Sequence, residues 1–265
     1  MKKEEIVKKL LDRGLMLSPE TISSITDDNI DQYIDEKEDE LKISMREVKE
    51  NKKLTVQDFV EYYNSRFNGL KNILLKKVDA ISINKLKKVY SDVSIIGMVK
   101  EMTSKGFVIE DPTGSIEAVS DKEVNTDDVI GIKGSVRENK IFVKELSYPD
   151  IPLNREVNKE GVKLELKDKK LKINEKTVAI KQNPAWIEII NGKNKTIVLV
   201  YGPPEDMEIK KAVEFLKKRH LCPDRKQIKS KEDVFLIDPV PDIFYFIVKE
   251  KGKYIYKGVT IISDS

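Results

Sequence analysis

Few side chains in this sequence could do chemistry, and their scarcity is informative. The 265-residue chain carries one histidine, His220, and one cysteine, Cys222. Two-metal hydrolases and most zinc hydrolases need several imidazoles converging with carboxylates, and one imidazole does not supply them. A Ser-His-Asp triad needs a single histidine. However, His220 lies in Lys217-Lys218-Arg219-His220, among cations, with no obvious acidic orienter or nucleophile beside it. It therefore reads as a structural or surface residue. Asp238 and Asp242 are close in sequence, but the Pro-Val-Pro between them makes a shared metal site poor. A lone cysteine excludes an internal disulfide framework or a thiolate zinc cluster, and fits a reducing compartment. No Gly-rich phosphate loop is present. Gly202-Pro203-Pro204 follows a strand-like run, but proline lacks the N–H that a phosphate cradle needs.

What remains is charge. Across 210–231, nine Lys or Arg stand against two acids. Lys210, Lys211, Lys217, Lys218, Arg219, Arg225 and Lys226 are the candidate DNA-phosphate contacts, with a merely solvated face as the competing reading. The whole chain gives no such drive: 49 basic against 46 acidic residues leave a net charge of +3. Residues 27–40 are the acidic counterpart, with eight Asp or Glu and one Lys. They read as a solvated linker or as an acidic partner surface. At 36% charged and 39% hydrophobic residues, the composition is polar but foldable. No apolar run reaches the ~18 residues of a membrane span, and the charged N-terminus has no apolar signal core.

The elements that must position these residues follow from periodicity. Ile6, Val7, Leu10 and Leu11 share a helical face, with Gly14 as its expected end. Ser18-Pro19 then caps a second helix that buries Ile22 and Ile25. Residues 55–77 predict the clearest helix, capped by Thr55 and striped by Val56, Phe59, Val60, Tyr63, Phe67, Leu70, Ile73 and Leu74. From 88 to 148 the period shifts to short strands: 93–99, 107–110, 115–119, 129–136 and 140–143. Glycines inside those strands suit a barrel that must bend. Only Phe107 and Phe142 could stack bases there. Residues 159–181 alternate weakly and carry eight Lys, as solvated hairpin strands would. Strands at 186–190, 196–201, 234–237, 243–248 and 259–262 then flank an amphipathic helix over 205–219.

Several segments together resemble the small subunit of the archaeal D-family DNA polymerases. The likeness rests on Val56-Gln-Asp-Phe-Val-Glu-Tyr-Tyr-Asn-Ser-Arg-Phe-Asn-Gly-Leu before the barrel, Val93-Ser-Ile-Ile-Gly-Met-Val, Ile109-Glu-Asp-Pro-Thr-Gly and Tyr148-Pro-Asp-Ile-Pro-Leu. It continues in Asn183-Pro-Ala-Trp-Ile-Glu-Ile, Leu216-Lys-Lys-Arg-His-Leu-Cys-Pro, Val234-Phe-Leu-Ile-Asp, Val240-Pro-Asp-Ile-Phe and Tyr256-Lys-Gly-Val, in the family's order. The resemblance implies an α+β chain in four parts: a helical module with acidic tail (1–40), a linker and amphipathic helix (41–87), an OB-type barrel (88–153) and a shortened phosphoesterase-like remnant (154–265). The family's metal-binding Asp-x-His, Gly-Asp and Gly-Asn-His-Asp motifs have no counterpart here. Its His-Gly strand end is Tyr201-Gly202, and Phe244 is followed by Tyr245-Phe246-Ile247-Val248 with no imidazole. The implied role is a non-catalytic, cofactor-free accessory subunit in the cytoplasm, associated with the nucleoid. Its partners would be the large catalytic subunit and DNA, with a single-strand-binding barrel as the alternative. Tyr148, Trp186, Phe244 and Phe246 are the candidate docking residues. A half-deleted domain would also leave apolar strands for a partner to cover.

Overall fold

The computed structural model describes residues 3–12, 18–26, 29–30, 41–47, 54–86, 90–155, 157, 162–192, 194–223 and 225–263. The expected cap at Gly14 and nearly all of the acidic stretch 27–40 lie outside them. Helices α1 (Lys3–Asp12) and α2 (Pro19–Ser24) form the N-terminal pair, where Ile6, Leu10, Ile25 and Ile30 make a small separate core.

Helix α3 (Val56–Leu74) begins where the sequence expects it. The Asp58 N–H donates to Thr55 Oγ1 at 3.2 Å, and the Thr55 N–H donates to the Asp58 carboxylate at 2.7 Å. This reciprocal cap satisfies N–H groups that have no partner in the first turn. The buried face is rotated from the expected one. Val56 and Val60 are exposed, while Tyr62 and Arg66 turn inward with Phe67, Leu70, Ile73 and Leu74.

Strands β2 (Tyr90–Thr103), β3 (Gly106–Asp111), β4 (Gly114–Val119), β5 (Val129–Arg137) and β6 (Lys140–Ser147) close a barrel in the order β2-β3-β4-β6-β5. A parallel β4–β6 pair completes the ring of antiparallel neighbours. Ile95, Val99, Phe107, Ile109, Ala118, Ile130, Ile132 and Ile141 fill the interior. Gly134 sits at a bulge where β5 bends against β6, and a Cβ there would lie 2.3 Å from the Phe142 carbonyl oxygen. Glycine is what lets the two backbones approach that closely.

The C-terminal unit is a six-stranded sheet in the order β1-β10-β11-β12-β14-β13. Its strands are β1 (Lys42–Met45), β10 (Ala185–Asn191), β11 (Asn194–Tyr201), β12 (Ile243–Phe246), β13 (Gly252–Tyr256) and β14 (Val259–Ser263). The central trio β11-β12-β14 is parallel, and helix α4 (Lys211–Lys218) lies on the crossover between β11 and β12. One face of the sheet sets Leu199, Tyr201, Phe244, Phe246 and Ile261 against Phe215 and Leu216 of α4 and Tyr62 of α3. The expected strand at 234–237 makes only an isolated bridge between His220 and Leu236. Its backbone is tied instead to the loop after α4, by Leu221 N–H to Phe235 O at 3.0 Å and Ile237 N–H to Arg219 O at 2.9 Å.

The opposite face corrects the expectation of uncovered strands. Residues 164–179 form a three-stranded meander of β7 (Leu164–Lys167), β8 (Lys170–Ile173) and β9 (Lys176–Ala179). Its alternation is the signature of a half-buried sheet. Lys170 and Lys172 face water, while Leu171 and Ile173 are fully buried against Val198, Val200, Ile243 and Tyr245. The lysine-rich stretch is therefore a lid on the sheet rather than a solvated excursion. Leu171→Ala should lower the unfolding free energy by about 2–5 kcal/mol, as for other buried leucines. Urea denaturation reads this directly, and a loss well under 1 kcal/mol would show that the meander is not part of the core.

Candidate functional site

The chemistry-bearing side chains gather where α3, the barrel and the C-terminal sheet meet. Asp233 is the centre. Its Oδ2 accepts from Arg66 Nε at 3.0 Å and from His220 Nε2 at 2.7 Å, and its Oδ1 accepts from the Phe235 N–H at 3.0 Å. The Asp233 N–H donates to Ser65 Oγ at 2.7 Å. Arg66 also donates to Tyr62 Oη at 2.9 Å, and its guanidinium lies 5.1 Å from the ring centroids of Tyr62 and Tyr63. On the barrel side, Asp127 lies 3.7 Å from Arg66 and Asp128 2.8 Å from Lys218. A cavity of about 190 Å³ lies beside these pairs, lined by Arg66, Asp127, Asp128, Lys218, His220 and Cys222 among others.

The electrostatics identify what this cluster can do. Burial alone would push the Asp233 carboxyl up, but the His220 and Arg66 donors outweigh it and hold the group below the usual carboxylate range. Burial pushes the His220 imidazole down, against the pull of Asp233. The hydrogen bonds agree with a neutral ring. The Cys222 N–H donates to Nδ1 at 3.0 Å, so Nδ1 is the acceptor and Nε2–H is the donor to Asp233. Cys222 is an exposed residue, but desolvation around its thiol pushes it above the usual range, which leaves it a thiol near neutrality. Both ring nitrogens are occupied, so His220 cannot also serve as base for that thiol. His220 thus does have an acidic orienter, Asp233, which sequence inspection missed because it lies 13 residues away. The arrangement is a structural clasp.

The predicted contacts divide sharply. Lys210 and Lys217 are exposed on α4 or its approach, and Lys211 pairs with Glu214. Lys217 Nζ lies 4.7 Å from the ring of Tyr148, which is itself half-buried and donates to the Glu123 carbonyl at 3.3 Å. Lys218 and Arg219 are buried and committed. Lys218 binds Asp128 and Glu214, and Arg219 donates to the Ile237 carbonyl and, at 3.2 Å, to Asp238. They are therefore removed from a phosphate-contacting face. Lys226 is exposed, while the side chain of Arg225 is outside the described residues. Trp186, Phe244 and Phe246 are buried in the sheet's core, which corrects their assignment as surface docking residues. In the barrel, Phe107 is interior and Phe142 is 40% exposed. The barrel's outer lysines are largely paired, as in Lys100–Glu110, Lys133–Asp92 and Lys140–Glu117. Among the described residues no three His, Cys, Asp or Glu side chains gather as a metal site, and no helix is long and apolar enough to cross a membrane.

A closed five-stranded barrel clasped to a mixed sheet through an amphipathic helix defines the class: a two-module α+β protein. No family profile matches the chain. The chain is 33% identical over 110 residues to the DNA polymerase II small subunit of Archaeoglobus fulgidus, covering 37% of this chain and 22% of that protein. It is 30% identical over 115 residues to the DNA polymerase II small subunit of Methanothermobacter thermautotrophicus, covering 37% and 24%. The matched stretch is thus small-subunit-like, and the chain spans less than a quarter of the length of the curated relatives it matches.

The neutral, buried state of His220 has a pH signature. Its folded pKa lies below the unfolded value of about 6.5, so the stabilisation is fully present above that pH. It is lost as pH falls, at a limiting slope of about 1.4 kcal/mol per pH unit, because the unfolded chain takes up a proton that the folded chain refuses. No other histidine contributes. His220→Gln should retain a donor toward Asp233 and flatten the stability profile between pH 6.5 and 5. An unchanged profile in that variant would overturn the assignment of the titrating group.

Proposed function

We propose that this chain is a non-catalytic accessory subunit of a D-family DNA polymerase, acting in DNA replication by docking on the large catalytic subunit. The observation that carries the reading is the match to two archaeal DNA polymerase II small subunits. In this reading residues 88–153 are an OB-type barrel, supported by five short strands and their closed order. Residues 154–265 are a shortened phosphoesterase-like unit, preceded by the helical module 1–40 and the linker and helix 41–87. The commitment of the lone imidazole to Asp233 and the Cys222 N–H supports a scaffold role, since neither nitrogen is left to ligate a metal.

With Trp186, Phe244 and Phe246 buried and Tyr148 half-buried, the docking surface is assigned elsewhere. Strand β13 is a free edge of the sheet, with Ile255 72% exposed, Tyr254 partly exposed, and Lys251 and Lys253 beside them. Such an edge takes an added strand through its backbone groups, and its lysines favour an acidic one. The basic 210–231 face keeps Lys210, Lys217 and Lys226 for DNA as a second partner.

Affinity capture of the full chain from its native cells at moderate salt tests the reading. The expected result is recovery of the large polymerase subunit. Ile255→Lys should lower that recovery several-fold with an unchanged melting temperature. Recovery of nucleic acid or single-strand-binding proteins without the polymerase would overturn it.

A further inference from the structure

A second constellation of cations lies away from the clasp, at the carboxyl ends of the parallel strands. The ends of β11 and β12, at Val200–Gly202 and Ile247, form the floor of a cleft of about 540 Å³. Carboxyl ends of parallel strands are where open α/β sheets hold ligands, because the loops diverge there and leave a crevice. The rim is contributed by separate segments: Lys169 from the β7–β8 turn, Lys181 from the link into β10, and Lys226 and Lys229 from the turn after α4.

These lysines are positioned by the fold. Asp168 and Lys169 adopt left-handed φ values of 48° and 57°, the geometry of a tight two-residue hairpin. The Ile180 N–H donates to the Lys169 carbonyl at 2.7 Å, so the turn is tied to the end of the meander. Asn183 braces the floor from both sides, donating to the Gly202 carbonyl at 2.6 Å and accepting from the Gly202 N–H at 3.0 Å.

The charge pattern differs from that of the barrel. No carboxylate lines the cleft among the described residues. Lys169, Lys181 and Lys226 form no ion pair with a described acid, whereas the barrel and α4 interleave their lysines with acids. Converging like charges in a concave site focus a positive potential on whatever occupies it. No aromatic ring lines the cleft either, so it offers no platform for a base. Recognition would be of phosphate rather than of nucleobase.

We propose that this cleft binds a phosphate-bearing polyanion through Lys169, Lys181 and Lys226. The phosphates come either from a single-stranded nucleic acid or from a free polyphosphate chain. The site stands independently of docking on a polymerase subunit, since it uses neither β13 nor the barrel.

The test uses the full chain in buffer with EDTA. Fluorescence anisotropy with a labelled oligo-dT of 20 nucleotides reads strand binding, and calorimetry with inorganic tripolyphosphate reads the free anion. The triple variant Lys169→Ala/Lys181→Ala/Lys226→Ala changes only exposed side chains, and its melting temperature checks the fold. For a strand ligand, the triple variant should weaken binding at least tenfold and lower the salt slope by about 2, from ~0.7 per phosphate contact. For a free polyphosphate, tripolyphosphate should bind and the triple variant should abolish it, while the triple variant leaves any oligonucleotide binding unchanged. Either result supports the site and names its source. Binding of neither probe, or no binding that the triple variant weakens, would overturn the proposal.

Discussion

One buried carboxylate ties helix α3 to the C-terminal unit. Asp233 accepts a guanidinium from α3 and an imidazole from the loop after α4, and its own N–H reaches back to Ser65 on α3. Taking an ion pair out of water is costly, and the cost is recovered only when every lone pair and proton finds a partner. Here both carboxylate oxygens and the Arg66 Nε and Nη2 groups are used. Removing one member of such a set typically costs about 3–5 kcal/mol, because the other charge stays buried without its partner. Asp127 and Asp128 extend the clasp to the barrel through Arg66 and Lys218. Orientation between barrel and sheet is therefore set by directional polar contacts at the junction, beside the apolar packing of α3 against both.

The same economy governs the barrel exit. Asp150 sits at a left-handed φ of 47° and collects the Lys257 ammonium at 2.5 Å, the Tyr256 hydroxyl at 2.9 Å and the Ile151 N–H. Burial raises its carboxyl, and those three donors more than reverse the effect. Arg155 continues the seam by donating to the Val240 and Pro241 carbonyls and to Asp242, whose other oxygen accepts from the Ile197 N–H at 2.7 Å. A chain leaving the barrel is thus fastened to β14's hairpin and to the amino end of β12 in turn. Charged residues in this protein are numerous, and many act as cross-links between segments distant in sequence.

What sequence inspection can recover follows from the range of each interaction. The cap at Thr55, the Asp111–Gly114 turn and the barrel strands are local patterns, and the structure has them where the pattern places them. Residues whose role depends on distant partners were not legible. Lys218 and Arg219 look like the continuation of an exposed basic run. Arg219 instead adopts a left-handed φ of 55° at the end of α4, and its side chain turns inward to Ile237. His220 has its acid 13 residues on, and Arg66 meets Asp233 across 167 residues. Strands β1 and β13 are short edge elements whose identity comes from pairing with β10 and β14, not from their own hydrophobicity. Phe244 and Phe246 were legible as strand, but a strand pattern does not say which face is covered. Here the pattern at β12 is buried on both sides, as in a central parallel strand.

The meander links stability to the surface chemistry. A six-stranded sheet with a parallel centre needs cover on both faces. With α3 and α4 on one side, residues 164–179 supply the other with only two fully buried side chains, Leu171 and Ile173. So short a cover must run close to the sheet, and its tight turn at Asp168-Lys169 therefore projects at the sheet's carboxyl edge rather than beyond it. Alternation then does the rest. Residues 171 and 173 point at the sheet, and the intervening and flanking lysines must point away or along its rim. Lys169 and Lys181 share the rim because β8 and β9 are antiparallel, so the two ends of that pair meet at one edge. The cationic wall of the cleft is in this sense a geometric consequence of sealing the core with a lysine-rich hairpin. Among the described residues the cleft lining holds no acid, whereas the barrel and the β10–β11 pair set Lys beside Asp or Glu, so the like charges of Lys169, Lys181 and Lys226 have only solvent or a bound anion to offset them.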